Sequence, residues 1–283
     1  MNYFERAKFF RTKKRLGQNF LVDGEVIADI IDFAKISPED TVVEIGPGVG
    51  FVTEQLVKYA KKVIVIELDE EAVRELKKLD APNLEIIHND VLKTDLSALC
   101  EDDFKVVANI PYYITSPIIA HLLGEIDDLN NKNRNKIKDI ILMVQEEVAR
   151  RMVADESSPA KQYGLLTILS QFWADVKILR SVGRKSFYPA PKVNSALVKL
   201  DVKKEPRLNL SDYSYFRRTV KAGFAQRRKN IKNCLLNGGF LKEDVISALK
   251  TLEIDENTRG EKLSIEVFGR LSEELLSLSK KRV

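Results

Sequence analysis

From Thr41 to Glu67 the chain passes through a β-branched run, a glycine turn, a helical stretch and a second β-branched run, and few architectures accept that order. Thr41-Val42-Val43-Glu44-Ile45 has the composition of a buried parallel strand. It breaks at Gly46-Pro47-Gly48-Val49-Gly50, after which Phe51, Val52, Leu56 and Tyr59 fall on one side of a helix. Val63-Ile64-Val65-Ile66 forms the next strand. Leu84 to Ile87, Lys105 to Ala108 and Ile140 to Met143 continue the series, with Asp175 to Leu179 and Val193 to Leu200 as later strands. The alternation predicts an α/β domain on a doubly wound sheet.

Each of the first four strands ends on a residue with chemistry to offer. A glycine turn after a strand lets a ligand approach the backbone, because no Cβ occupies the space. The spacing here is Gly-x-Gly-x-Gly, not the Gly-x-Gly-x-x-Gly of dinucleotide binders. Glu67 closes the second strand 21 residues after Gly46, where a carboxylate can accept hydrogen bonds from ribose hydroxyls. Asp90 follows the third and is placed to accept from an adenine amino group. Gly46, Gly48, Glu67 and Asp90 together predict a nucleoside pocket.

Asn109-Ile110-Pro111-Tyr112 follows the fourth strand. An adenine N6 lone pair is delocalised into the ring, so the amine is a poor nucleophile. The Asn109 side-chain oxygen and a carbonyl near Ile110 and Pro111 can accept its two N–H bonds and aim the lone pair at an electrophilic methyl. Pro111 fixes the turn, and Tyr112 supplies a face on which the base can stack. An isolated Asn-x-Pro-Tyr would read as a turn with a packed tyrosine; downstream of the nucleoside pattern it reads as chemistry.

These motifs resemble the rRNA adenine N6-dimethyltransferase family, and within it the bacterial KsgA type that acts on small-subunit (16S) rRNA. Leu16-Gly17-Gln18-Asn19-Phe20-Leu21 resembles the family's opening motif, and Glu44 to Gly50, Glu67, Asp90 and Asn109 to Tyr112 match in order. Phe187-Tyr188-Pro189-Ala190-Pro191-Lys192-Val193-Asn194-Ser195 resembles its Phe-x-Pro-x-Pro-x-Val-x-Ser motif, and Phe224-Ala225-Gln226-Arg227-Arg228-Lys229 its C-terminal basic motif. The resemblance implies a Rossmann-like seven-stranded domain that binds S-adenosylmethionine, with a small C-terminal α-helical domain. It implies cofactor contacts from Asn19, Leu21, Gly46, Gly48, Glu67, Asp90 and Asn109. Asn109, Pro111, Tyr112 and Phe187 would handle the target base. The implied product is N6,N6-dimethyladenosine at two adjacent adenosines near the 3′ end of the RNA, with a role in small-subunit biogenesis. S-adenosylhomocysteine would be the by-product, a precursor ribosomal particle the partner, and the enzyme a monomer.

The net charge of +4 hides an asymmetry. Residues 1–18 carry six basic side chains against one acidic, and residues 203–232 ten against two, which leaves the rest of the chain at −9. Two basic patches on an otherwise acidic protein suit a phosphate backbone. The RNA-contact candidates are Arg11, Lys13, Lys14 and Arg15 in the arm, and Arg217, Arg218, Lys221, Arg227, Arg228 and Lys229 beyond it. Solvated faces, or a targeting arm at the N-terminus, are the other readings of the same runs.

Residues 1–201 are expected to form the methyltransferase domain, Lys203-Lys204-Glu205-Pro206 a linker, and 207–283 a helical RNA-binding domain. Helical periodicity covers Tyr215 to Leu236, Lys242 to Leu252 and Ile265 to Leu278, and Asn130 to Lys136 reads as a flexible polar insertion. Cys100 and Cys234 fit no metal spacing and suggest reduced cytosolic thiols. His88 and His121 form no ligand cluster, no metal is expected, and Trp173 reads as core. No apolar run nears the roughly 20 residues of a membrane span. Two alternatives share the cofactor motifs: a macrolide-resistance (Erm) type methyltransferase of large-subunit rRNA, and a non-catalytic RNA-binding assembly factor. Gln162-Tyr163-Gly164 and Gln226-Arg227-Arg228-Lys229 resemble the small-subunit group more closely.

Overall fold

The β-branched runs pair as their periodicity predicts. The computed structural model describes residues 2–13, 16–111 and 114–281, and Tyr112, Lys14 and Arg15 lie outside them. Among the described residues the strands are β1 (Phe20–Leu21), β2 (Thr41–Ile45), β3 (Lys62–Glu67), β4 (Leu84–His88), β5 (Phe104–Asn109), β6 (Ile137–Gln145), β7 (Ala174–Val182), β8 (Phe187–Tyr188) and β9 (Ser195–Val202). Seven of them make one sheet in the order β4-β3-β2-β5-β6-β9-β7. The pairs from β4 across to β6 are parallel, while β9 runs antiparallel to both β6 and β7. Val42, Val43, Val63, Ile64, Val65 and Val106 are fully buried, which is why the central strands read as continuous apolar runs rather than alternating ones.

The strand order reverses between β2 and β5, and an open α/β sheet binds ligands outside the carboxyl ends of its strands at such a point. Gly46 follows β2 and Asn109 ends β5, so the fold brings two separate motifs to one crevice.

Two compact units emerge: Met1–Gly124, Asn130–Ala149 and Ala174–Lys204 in one; Glu125–Leu129, Arg150–Trp173 and Glu205–Val283 in the other. The second therefore takes residues that a single 1–201 domain would have kept. The cause is aromatic packing. Phe172 stacks on Phe216 at 5.5 Å, Trp173 meets Phe172 edge-on at 5.1 Å, and the buried Trp173 indole donates to the Glu125 carbonyl. The helix Leu165–Trp173 thus belongs with the helices Tyr213–Ala225, Ile231–Asn237, Lys242–Thr251 and Ile265–Lys280.

Two local expectations are corrected. Asn130 to Lys136 is no loose insertion: Lys132–Lys136 is helical, capped by Asn131, and Arg134 is fully buried, donating to the Leu123 carbonyl at 2.6 Å. Asn133 donates to the His121 carbonyl and accepts from the Ser97 amide. Polar side chains here replace apolar ones as anchors, which a hydropathy reading takes for a loop. The Tyr215 to Leu236 periodicity is interrupted: one helix ends at Ala225 and the next starts after Asn230, whose side chain accepts from the Asn233 amide. Arg227, Arg228 and Lys229 occupy that break, exposed.

Candidate active site

A cleft of about 1050 Å³, open solvent at its mouth included, lies over the ends of β2, β3 and β5 in the sheet unit. Asn19, Leu21, Gly46, Gly48, Glu67, Asp90, Asn109 and Pro111 all line it. Gly46, Gly48 and Gly50 have φ of 67°, 57° and 85°, the left-handed region that disfavours any side chain. Gly48 has a second reason: a Cβ there would come within 2.8 Å of the Phe20 ring. A Cβ at Gly46 would sit 3.4 Å from the Asn109 carbonyl oxygen, so the two motifs nearly touch through their backbones.

Glu67 is buried, and three backbone amides hold its carboxylate: Gly48 donates to one oxygen at 3.0 Å, Leu68 and Asp69 to the other at 2.8 Å. Burial raises its pKa above the ordinary glutamate value, against the pull of those amides. Asp90 caps a short turn by accepting from the Leu92 amide at 3.0 Å. The Asn109 amide nitrogen donates to the Asn19 carbonyl at 3.4 Å, while no described residue donates to its side-chain oxygen. That leaves an acceptor facing a cleft with Ile110 and Pro111 beside it.

The model of the ribosomal RNA adenine dimethylase family matches residues 9–276. The chain belongs to that family. A Clostridium botulinum protein named ribosomal RNA small subunit methyltransferase A is 44% identical over 93% of this chain and 94% of its own length. A Bacillus licheniformis protein of the same name is 43% identical over 94% of this chain and 92% of its own. Among solved structures, a dimethyladenosine transferase from Plasmodium falciparum superposes with a TM-score of 0.73 at 30% identity, over 92% of this chain and 98% of that one. The 23S rRNA methyltransferase ErmE gives 0.68 at 29%, over 91% and 99%.

The family's remaining sequence markers are distributed unevenly by the structure. Phe187 does not line the cleft: it is 2% exposed, inside the core, and pairs with Leu21 in the small β1–β8 ladder. In the fold it has a positioning part. An antiparallel pair needs both partners, and Phe187 and Tyr188 hold Leu21 and Phe20 beside the glycine turn. Lys13 is likewise committed, pairing with Asp69 at 2.5 Å and Glu71 at 3.1 Å. Arg217 pairs with Glu125 and Asp127, and Arg218 lies over the Phe240 ring while donating to the Gly239 carbonyl. Arg11, Lys221, Arg227, Arg228 and Lys229 are exposed.

Two residues matter that sequence reasoning passed over. Asp69 is buried and gathers Lys13 and the Gln18 amide, at 2.7 Å, while its own amide binds Glu67. Burial alone would raise its pKa, but Lys13 and Gln18 outweigh that and hold it below the usual aspartate value. Its proximity to Glu67 in sequence was the available signal. Glu44, inside the glycine motif, is a buried part of the cleft lining, with the Thr53 hydroxyl donating to it at 2.6 Å; burial pushes its pKa to about 8. His88 is exposed, 3.2 Å from the Leu68 carbonyl, and does not line the cleft. Among the described residues no cluster of three or more metal-ligating side chains occurs, and no helix is long and apolar enough to cross a membrane.

Proposed function

We propose that this chain transfers methyl groups from S-adenosylmethionine to N6 of two adjacent adenosines near the 3′ end of small-subunit (16S) rRNA, within a precursor particle. One observation carries the chemistry: the ends of three neighbouring strands deliver Glu67, Gly46 and Asn109 to a single cleft, with the Asn109 side-chain oxygen uncommitted among the described residues. The small-subunit assignment is supported by relatives of that name at 42–44% identity, against 29% for the large-subunit methyltransferase ErmE.

The cofactor fits what these residues offer. Glycines at 46 and 48 leave bare backbone where side chains would fill the cradle. The Glu67 carboxylate, already oriented by three amides, keeps one of its roughly four lone-pair sites, on the oxygen that the Gly48 amide holds, for a ribose hydroxyl. Asp90, which lines the cleft, is the residue we assign to the adenine amine. When bound, the cofactor supplies a methyl group on a sulfonium, an electrophile whose thioether leaving group needs no protonation.

The protein's work is orientation. The Asn109 side-chain oxygen and a carbonyl of the Ile110–Pro111 turn accept the adenine N–H bonds, withdrawing the lone pair from the ring and aiming it. Attack makes the nitrogen cationic and strongly acidic, so its proton leaves to solvent without a strong base. After one transfer an N–H remains for Asn109, which permits a second. Tyr112 is the proposed stacking face for the base.

The test is transfer of labelled methyl to unmethylated small-subunit particles, with primer extension to locate it. Two stops at adjacent adenosines near the 3′ end are expected; label on large-subunit RNA instead would favour the Erm-type reading, and no transfer an assembly factor.

A further inference from the structure

We propose that the helical unit contains a second RNA subsite, a pocket for one unpaired nucleotide, an inference that rests on the RNA-modifying reading above. A cavity of about 500 Å³, open solvent at its mouth included, lies wholly within that unit, between Tyr163-Gly164-Leu165, the turn after Phe224, and Gly260-Glu261. Three observations there have no explanation in packing.

Tyr163 is 4% exposed, and its hydroxyl has no hydrogen-bond partner among the described residues. Neither has the buried Nε of Arg151, which lines the same cavity. Burying an unpaired hydroxyl weakens a fold, and phenylalanine would fill the same space without that cost. Burial also pushes the phenol pKa upward, so the group stays a neutral donor and acceptor.

Gly164 is the second observation. It is buried, its φ is not left-handed, and a Cβ built there meets nothing within 4 Å. The other two glycines of the lining differ: a Cβ on Gly260 would come 2.4 Å from the Gly223 carbonyl oxygen, and one on Gly223 2.6 Å from Phe268. Those two are required by the protein itself, whereas bare backbone at Gly164 serves only the space in front of it.

The third is the rim. Arg227 and Lys229 line the cavity and are exposed, with no ion-pair partner among the described residues. Cations at a mouth, an aromatic wall in Phe224, edge-on to Tyr163 at 5.7 Å, and polar groups at the back match the parts of a nucleotide in order. The phosphate meets Arg227 and Lys229, the base lies along Phe224, and its edge meets Tyr163, Arg151 and the Glu261 carboxylate. A base-paired nucleotide could not turn its edge inward, so the ligand is a looped-out or terminal one.

The experiment uses the full chain with S-adenosylhomocysteine present to occupy the cleft of the sheet unit. The four nucleoside 5′-monophosphates and ribose 5-phosphate are titrated by calorimetry or NMR. At least one nucleotide should bind about tenfold more tightly than ribose 5-phosphate, the size of one stacked base. Tyr163→Phe and Gly164→Val should each erase that advantage, and Tyr163→Phe should melt no lower than the wild type, since its hydroxyl supports nothing in the fold. Nucleotides that bind no better than ribose 5-phosphate would overturn the proposal, as would an advantage that survives in both variants. Methyl transfer to small-subunit particles by the wild type is measured alongside. Its absence sinks the RNA-modifying reading, while its presence with a flat titration sinks the pocket alone.

Discussion

The cleft of the sheet unit and the basic turn of the helical unit solve opposite problems. In the cleft, polar groups are satisfied before any ligand arrives: three amides hold Glu67, and Lys13 and Gln18 hold Asp69. Around Arg227 and Lys229 the charges stand exposed and unpaired among the described residues. A site that must aim a reacting nitrogen profits from dipoles already oriented, because none has to reorganise at the moment of reaction. A surface that captures phosphate profits from mobile, hydrated cations that release counterions on contact. Counting basic residues therefore overstates the RNA surface, since Lys13 and Arg217 are paired with the protein's own carboxylates.

The sharpest way to break this contrast is Asn109→Ala. If the cleft works by preorganisation, single-turnover methyl transfer should fall by about 10²–10³, the size of one oriented polar contact, with RNA affinity retained. Near wild-type transfer would remove Asn109 from the chemistry.

Glu67→Ala comes next. Losing a charge-assisted bond in a buried site costs about 1.5–3 kcal/mol, so S-adenosylmethionine should bind roughly tenfold or more weakly by calorimetry. Unchanged affinity would place the ribose elsewhere.

The two kinds of cation separate in a salt titration of RNA binding. Charge reversal at Arg227 and Arg228 should flatten the slope, by about 0.9 for each lost duplex phosphate contact. Lys13→Gln should leave the slope alone and lower the melting temperature instead, because buried Asp69 then loses its ion-pair partner and keeps only the Gln18 side chain and the Glu71 amide. A slope equally sensitive to both would erase the distinction.

The last test concerns a buried carboxyl of the cleft lining. Glu44 keeps its proton up to about pH 8 in the folded protein, whereas the unfolded chain releases it near the ordinary glutamate value. Its contribution to stability is thus fully present at acid pH and is lost as the pH climbs through that window. Melting temperatures from about pH 5 to about pH 8 should fall less steeply in Glu44→Gln than in the wild type.

Much of the sheet unit was readable because its signals are local. A strand needs a short apolar run, a glycine turn needs φ values other residues avoid, and both are written in consecutive positions. Hence β2 to β5 and the cleft residues Gly46, Glu67, Asp90 and Asn109 lie where the runs predicted. Asn133 and Arg134 misled for the complementary reason: they are polar in sequence and buried in fact, anchored by carbonyls and amides far along the chain.

The sequence by itself determined the α/β class, the order of the cofactor-type motifs and the family, because each rests on residue type and spacing. Tertiary structure decided the rest. It paired Leu21 with Phe187 and seated that phenylalanine in the core. It paired Lys13 and Arg217 with the protein's own carboxylates, and gathered Tyr163, Gly164 and Arg227 around one cavity. Each outcome depends on which side chains meet across long stretches of chain, and burial and charge pairing are properties of that meeting, which no single stretch of sequence carries.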